Sequence, residues 1–259
     1  MKLADMKDVG PPRILLYGEV GCGKTGLALT LGERAQMLEM DPWGCRTGLT
    51  LLDKFKPERL KVDIKQFLEE DPAKKAMAFS KCKQYIYGLG GDVQRGVYPY
   101  DAIILDSLSS FAESAVAQVM AGVGKIGQAP EIQHWGHAFT EIKNVIGVLR
   151  ALPIVVVLIA HEQVKTVGKG ATKEDKLEIA ISGKNLPSQI CRYFDEVWYM
   201  RARSAGGKKR QYVLQTVSDD IRVARSRSNL ADGVDTDVGM WELIRQLGYT
   251  PPKREVKKL

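Results

Sequence analysis

The sequence has few cysteines and no metal-style pairing among them: Cys22, Cys45, Cys82 and Cys191 are scattered over 259 residues without one Cys-x-x-Cys. That spacing offers neither paired zinc ligands nor a disulfide framework, so reduced thiols are expected. Long apolar runs are missing as well. The longest, Ile154 to Ala160, is far too short to span a bilayer, and the amino-terminal MKLADMKDVGPP has no apolar stretch of the secretory kind. The expectation is a cytoplasmic protein without a membrane partner. Heptads and internal repeats are absent, which excludes coiled coils and solenoids. What remains, 44% hydrophobic and 27% charged residues, is the composition of a soluble globular protein, long enough to bury one substantial core.

Charge is unevenly spread. The formal net charge is +7, and between Arg201 and Arg227 eight Lys/Arg stand against Asp219 and Asp220, a local +6. The tail Lys253-Arg254-Glu255-Val256-Lys257-Lys258 adds to it. Such a balance is the footprint of polyanion binding, although a solvated basic face gives the same signal.

The most informative stretch is Arg13 to Thr30. Ile14 to Tyr17 run directly into Gly18-Glu19-Val20-Gly21-Cys22-Gly23-Lys24-Thr25, followed by Gly26-Leu27-Ala28-Leu29. The octet fits G-x-x-x-x-G-K-[ST], the phosphate-binding loop, in its required context of strand before and helix after. Its glycines let backbone N–H groups from Gly18 to Gly26 curl around a phosphate, and the helix opening at Lys24 aims its dipole at the anion. Lys24 reaches the terminal phosphates of ATP and the Thr25 hydroxyl can ligand Mg2+. A second anchor is Asp106, at the end of the apolar segment Tyr100-Asp-Ala-Ile-Ile-Leu-Asp106, which suits the carboxylate on the magnesium side.

Hydrolysis also needs a group to orient or deprotonate water. Asp106 is followed by Ser107 and not by Glu, unlike the helicase and transporter pattern. The base is therefore expected from a neighbouring strand end, where Glu39 and Asp41 lie on one face by period two. Asp41 is favoured as nearer the carboxyl end, with Glu39 the alternative. His161, Glu162 and Gln163 follow the β-branched run PIVVVLIA, so His161 can feel the terminal phosphate or be a loop histidine without a role. Arg225 and Arg227, spaced by one residue, can clamp phosphate oxygens in cis or from a neighbour, or belong to the basic face.

Strands are expected at Arg13–Tyr17, Ala35–Met40, Leu60–Ile64, Tyr100–Asp106, Pro153–Ala160 and Asp220–Ala224. A hairpin is expected from Glu196–Arg203 and Lys209–Thr216. Helices are expected at Lys24 to about Arg34, Pro72–Tyr87, Ser107–Met120, Ile132–Leu152, Leu186–Tyr193 and Asp237–Gly248. Gly88 to Asp92 reads as a turn, and Gln163 to Asp175 as a mobile loop. Alternating strand and helix implies a mostly parallel, twisted α/β sheet with helices on both faces, extended by the hairpin. The organisation is an arm at 1–12, a core at 13–250 and a basic tail at 251–259.

With these residues placed, the chain resembles the RecA/RadA-like core P-loop ATPases, and within them the phage-encoded single-strand annealing or nucleotide-binding proteins. The resemblance rests on GEVGCGKT, AIILDS, the acidic strand end before Asp41-Pro42, and IAHEQVK. It implies a RecA-like P-loop NTPase fold, Asp41 as catalytic carboxylate, and His161 or Gln163 as the polar group that ends its strand. It implies DNA loops near Gly122–Gln133 and Val164–Ser182, and Arg225-x-Arg227 as a pair presented to a neighbour in a ring or filament. It further implies binding of ATP and single-stranded DNA, DNA-stimulated hydrolysis, and annealing or recombination alongside a single-strand-binding protein. Asp41 replaces the usual Glu, and Glu162-Gln163 the usual Asn-Gln. A nucleotide-switched helicase loader with little turnover is the alternative; a small-molecule kinase finds no lid or acceptor pocket in the sequence. Aromatics are sparse in the loops, only Trp135 being near one, so a nucleic acid would be tracked by its backbone.

Overall fold

The apolar strand segments lie side by side in one sheet. The computed structural model describes residues 10–46, 60–70, 76–168, 173–182, 186–204 and 210–252. In chain order these form β1 (Arg13–Gly18), α1 (Lys24–Leu29), β2 (Ala35–Glu39), β3 (Asp63–Gln66), α2 (Ala78–Gln94), β4 (Ala102–Asp106), α3 (Leu108–Gly122) and α4 (Ile132–Ala151). There follow β5 (Val155–Val167), β6 (Glu174–Ile179), α5 (Leu186–Cys191), β7 (Glu196–Ser204), β8 (Arg210–Gln215), β9 (Arg225–Ser226), β10 (Val234–Asp235) and α6 (Met240–Gln246).

The strand order is β10-β8-β7-β1-β5-β4-β2-β3, with β6 paired to β5 and β9 to β7. From β7 to β3 every neighbour is parallel, while β8, β10, β6 and β9 add antiparallel pairs. This is the expected mixed, mostly parallel α/β sheet. Helices cover both faces. On one side Leu15, Tyr17, Leu105, Leu158 and Val197 meet α2, α3, α4 and α5; on the other Ile14, Leu16, Ile104, Val157 and Trp198 meet α1 and α6. Because successive side chains point to opposite faces, the continuous run VVVLIA is buried throughout, half of it in each layer.

Several sequence expectations need correction. The first helix stops at Leu29, and a 3-10 turn at Gly32–Arg34 takes its place as far as β2. The turn expected at Gly88 to Asp92 is helical, since α2 runs to Gln94. Cys82, Ile86 and Leu89 are buried on one side and Val93 packs beside them, a helical stripe whose burial outweighs the poor propensity of three glycines. The loop expected over Gln163 to Asp175 is instead two paired strands, β5 and β6, joined by 168–173; residues 169–172 lie outside the described residues. Asp220–Ala224 is not a strand: Arg222 makes one isolated bridge to Leu177, and the paired segment is Arg225–Ser226. The third strand begins at Asp63 and not at Leu60, on the sheet edge with its side chains exposed. The arm residues 1–9, residues 72–75 of the expected second helix, the hairpin turn 205–209 and the tail residues 253–259 lie outside the described residues.

Glycines 88 and 90 have open space where a Cβ would be built and no positive φ. Gly88→Ala and Gly90→Ala should each therefore stabilise the protein by about 0.5–1 kcal/mol, read as a higher midpoint in urea; a loss of stability would contradict the helical reading of this segment.

Candidate active site

The loop after β1 is shaped by what surrounds it. Gly18 has φ +151, and a Cβ there would lie 2.2 Å from the Met200 carbonyl oxygen. Glycine is thus required at 18 by the close approach of β7. At Gly23, φ +96, a Cβ would meet Met200 Cε at 3.0 Å and Tyr212 Cδ1 at 3.3 Å. Leu27 N donates to Gly23 O at 2.9 Å, which opens α1 at the loop. Lys24 folds into the loop, its Nζ donating to Gly18 O at 2.8 Å and Glu19 O at 2.7 Å. Its charge is therefore held within the loop, where a phosphate would approach. Burial raises the Cys22 thiol above its ordinary value despite the nearby Lys24, so it is a packing residue and not a reactive one.

Thr25 Oγ1 donates to Asp106 Oδ2 at 2.7 Å. β1 and β4 are not neighbours; β5 separates them, so the contact joins the first turn of α1 to the end of a strand two places away. Asp106 is 3% exposed, and burial raises its carboxyl to about 6, against the lowering effect of the Thr25 hydrogen bond. Its backbone oxygen accepts from Met40 N, which ties β4 to the end of β2.

Asp41 stands on the turn just beyond. Ser110 Oγ donates to its Oδ1, and His161 Nε2 is 3.4 Å from its Oδ2. Burial acts to raise this carboxyl, but the hydrogen bonds from His161, Ser110 and Ser107 prevail and hold it below its ordinary value. His161 is fixed in turn by its backbone N, which donates to Ser109 Oγ at 3.0 Å. These groups share a cavity of about 380 Å3, lined on the loop side by Val20, Gly21, Gly23, Lys24, Thr25 and Gly26 and on the far side by Asp41, Gly44, Asp106 and His161. Gly18, Glu19 and Cys22 build the loop without lining the cavity.

Four other candidates are placed elsewhere. Glu39 is fully buried, its Oε1 accepting from Cys45 N at 2.6 Å and its Oε2 from Gln66 Nε2 at 2.5 Å, so it braces the turn after β2 and does not line the cavity. Gln163 donates to Glu178 Oε1 at 3.3 Å and lines a second cavity against α3 and α4. Arg225 donates to the carbonyls of Cys191 and Phe194, and Arg227 pairs with Asp195 at 3.1 Å. Both guanidiniums are committed within the chain, Arg227 at the surface.

Sequence reasoning missed the hydroxyls that orient the acidic groups, and the wall formed by Met200, Tyr212, Thr236 and Asp237. The serines had a legible signal, the cluster Ser107-Leu-Ser-Ser110 right after Asp106. The wall had none, because it forms only when the β7–β8 hairpin and the segment before α6 close over the loop.

A family described as AAA domain matches residues 10–228. The chain belongs to the AAA domain family. Among solved structures, this AAA-domain chain is similar to a prototypical ATPase from the type III secretion system of pathogenic bacteria, at 11% identity and a TM-score of 0.47, over 74% of this chain and 52% of that one. It is also similar to the assembled ATPase EscN of the enteropathogenic E. coli type III secretion system, at 10% identity and a TM-score of 0.45, over 74% and 43%. The chain spans about half the length of these structures or less. No curated protein matches the sequence. Among the described residues no helix is long and apolar enough to cross a membrane.

The Asp106 carboxyl gives a pH test. An unfolded Asp titrates near ~3.9, so between that and about 6 the folded state binds more protons than the unfolded one, and stability falls as pH rises through the window. Asp106→Asn escapes that loss. In urea unfolding without nucleotide or magnesium it should be more stable than wild type at pH 8, by up to about 3 kcal/mol, with the gain vanishing near pH 4. A difference independent of pH would refute the buried-charge assignment.

Proposed function

We propose that this AAA-domain chain is a magnesium-dependent ATPase that acts on single-stranded DNA, promoting annealing or homologous recombination in assembly with copies of itself and alongside a single-strand-binding protein. The observation that carries the ATPase reading is the Thr25–Asp106 contact beside Lys24 and Asp41 in one cavity. The fit to Mg2+ and ATP rests on the donor set. A hydroxyl and a buried carboxylate, with phosphate and water completing the shell, suit magnesium, which takes few protein ligands in such sites. The glycines at 21 and 23 leave the loop amides open to a phosphate.

Bound there, magnesium would neutralise charge on the terminal phosphates. The chain's own residues then divide the work. Thr25 and Asp106 hold the metal side, and Lys24 offers its ammonium to the terminal phosphates. Asp41, held below its ordinary carboxyl value by His161 and Ser110, is a poor proton acceptor but a well-fixed hydrogen-bond acceptor. Its role is to orient water in line with the terminal phosphate, which a loose phosphoryl-transfer transition state needs more than proton abstraction. His161, between Asp41 and the β5–β6 pair, links the cavity to that ribbon.

The DNA part is supported by the net charge of +7, and self-assembly by the surface position of Arg227, its side chain 55% exposed. A nucleotide-switched loader with little turnover is the second reading, favoured by the same weak basicity of Asp41.

ATP turnover with and without single-stranded DNA separates the two: stimulation supports the first, while tight ATP binding with negligible turnover in both supports the second. Lys24→Ala should abolish hydrolysis and weaken binding. Asp41→Asn should spare ATP binding and lower turnover about 100-fold; if Glu39→Gln does so instead without loss of stability, the assignment of Asp41 is wrong. Arg227→Ala mixed with Lys24→Ala should recover activity if the arginine works across a subunit boundary, and no recovery would remove that role.

A further inference from the structure

The β7–β8 hairpin has two faces with different chemistry. Met200 and Tyr212 point to the nucleotide cavity, close against Gly23. By strand alternation, Tyr199, Arg201 and Arg203 lie on the opposite face, about 6.8 Å apart at each step of two residues. The register sets Arg201 opposite Val213 and Arg203 opposite Gln211.

The basic stretch from Arg201 to Arg227 divides on this structure. Arg222 is taken up by Asp219 at 3.0 Å and by the Tyr199 ring at 4.9 Å. Arg225 is held by the carbonyls of Cys191 and Phe194, and Arg227 by Asp195. Among the described residues Arg201 and Arg203 have no such partner; Arg201 Nε is buried without an acceptor, as are the Nε atoms of Arg222 and Arg225, whose other nitrogens are engaged. The carboxylate on the adjoining strand, Asp235, is engaged by Gln211 Nε2 and by Asp237 N. Glu162 lies beyond β1 on the same sheet face, beside Tyr199. A half-buried guanidinium edge without an acceptor is costly unless an anion meets it. The β5–β6 ribbon is a poorer polyanion surface. Its described residues carry three lysines (165, 173, 176) against four carboxylates (162, 174, 175, 178), and Lys165 is paired with Glu178 at 3.0 Å.

We propose that the outer face of the β7–β8 hairpin, through Arg201 and Arg203, is the track for the phosphate backbone of single-stranded nucleic acid, placed back to back with the wall of the nucleotide cavity. The inference rests on the single-stranded DNA reading and relocates its main contact from the ribbon to the hairpin. One two-stranded element then touches both ligands, so a shift of Met200 and Tyr212 against a nucleotide moves the arginine pair as a unit.

The test is binding of a fluorescent oligo(dT) over a salt series, with wild type, Arg201→Gln/Arg203→Gln, and Lys165→Gln/Lys176→Gln. Binding of a fluorescent ATP analogue serves as the folding control. The hairpin variant should bind oligo(dT) about tenfold or more weakly, with a salt slope shallower by about 1.4, since each single-strand phosphate contact contributes about 0.7. Its nucleotide binding should stay within about twofold of wild type, as neither arginine lines the cavity. If wild type binds and the hairpin variant keeps its affinity and slope while the ribbon variant loses them, the hairpin assignment is overturned and the DNA reading stands. If wild type fails to bind oligo(dT) at any salt, the DNA reading falls and the assignment with it.

Discussion

The hydrogen bond from Thr25 to Asp106 joins two strands that the sheet keeps apart. β5 lies between β1 and β4, so the contact depends on the loop after β1 bringing the first turn of α1 to the end of β4. The local features serve that closure. Gly18 lets β7 come within van der Waals reach of the loop, Thr30 receives the Met240 N–H to fasten α6 against α1, and Asp106 accepts burial at the cost of a raised carboxyl pKa. Burial of this carboxylate outweighs the Thr25 hydrogen bond and the nearby Lys24 and His161. It lies against the Thr25 hydroxyl at the edge of the cavity, where the proposed magnesium would offset its burial.

Around this contact the sheet sorts side chains by parity. Ile159 and His161 on β5, and Met200 on β7, reach the nucleotide cavity; Ala160, Val197 and Tyr199 join the opposite layer, on the face that Glu162 and Arg201 continue beyond it. The same alternation that buries VVVLIA on both sides gives the hairpin a nucleotide face and a basic face. On the proposed nucleic-acid track, no linker or lever would be needed between the two ligands, because the two faces belong to the same backbone.

The start of α3 is a second organising feature. Ser107 caps the helix by accepting from Ser110 N at 3.2 Å, Ser109 holds the His161 backbone, and Ser110 holds Asp41. Three hydroxyls in one helical turn thus help to set the positions of Asp41 and His161, which line the cavity. They lie at the start of the helix that follows Asp106 directly, so Asp106, Asp41 and His161 are held relative to one another by the end of β4 and the first turn of α3.

The phosphate loop, Asp106 and the α/β alternation were legible in the sequence because each is written in contiguous residues: a glycine pattern between strand and helix, an apolar run ending in a carboxylate, β-branched segments long enough for a sheet. Asp41 and His161 followed from the rule that ligands collect at the carboxyl edge. The rest required tertiary structure. Glu39 and Asp41 differ by one period of the strand, yet one is consumed by Cys45 N and Gln66 while the other faces the cavity, a choice made by the turn that folds back over β2. Gln163 leaves the site because β5 continues past β1 and β4 and pairs with β6, and two-stranded ribbons twist strongly. The glycines of α2 broke no helix because Ile86, Leu89 and Val93 had a core to meet. Arg225 and Arg227 read as a phosphate clamp or part of the basic face until the packed chain set the carbonyls of Cys191 and Phe194 and the Asp195 carboxylate beside them. Local pattern determines what an element is and which edge its chemistry occupies; which side chain is already engaged by a distant neighbour is decided only when the chain is packed.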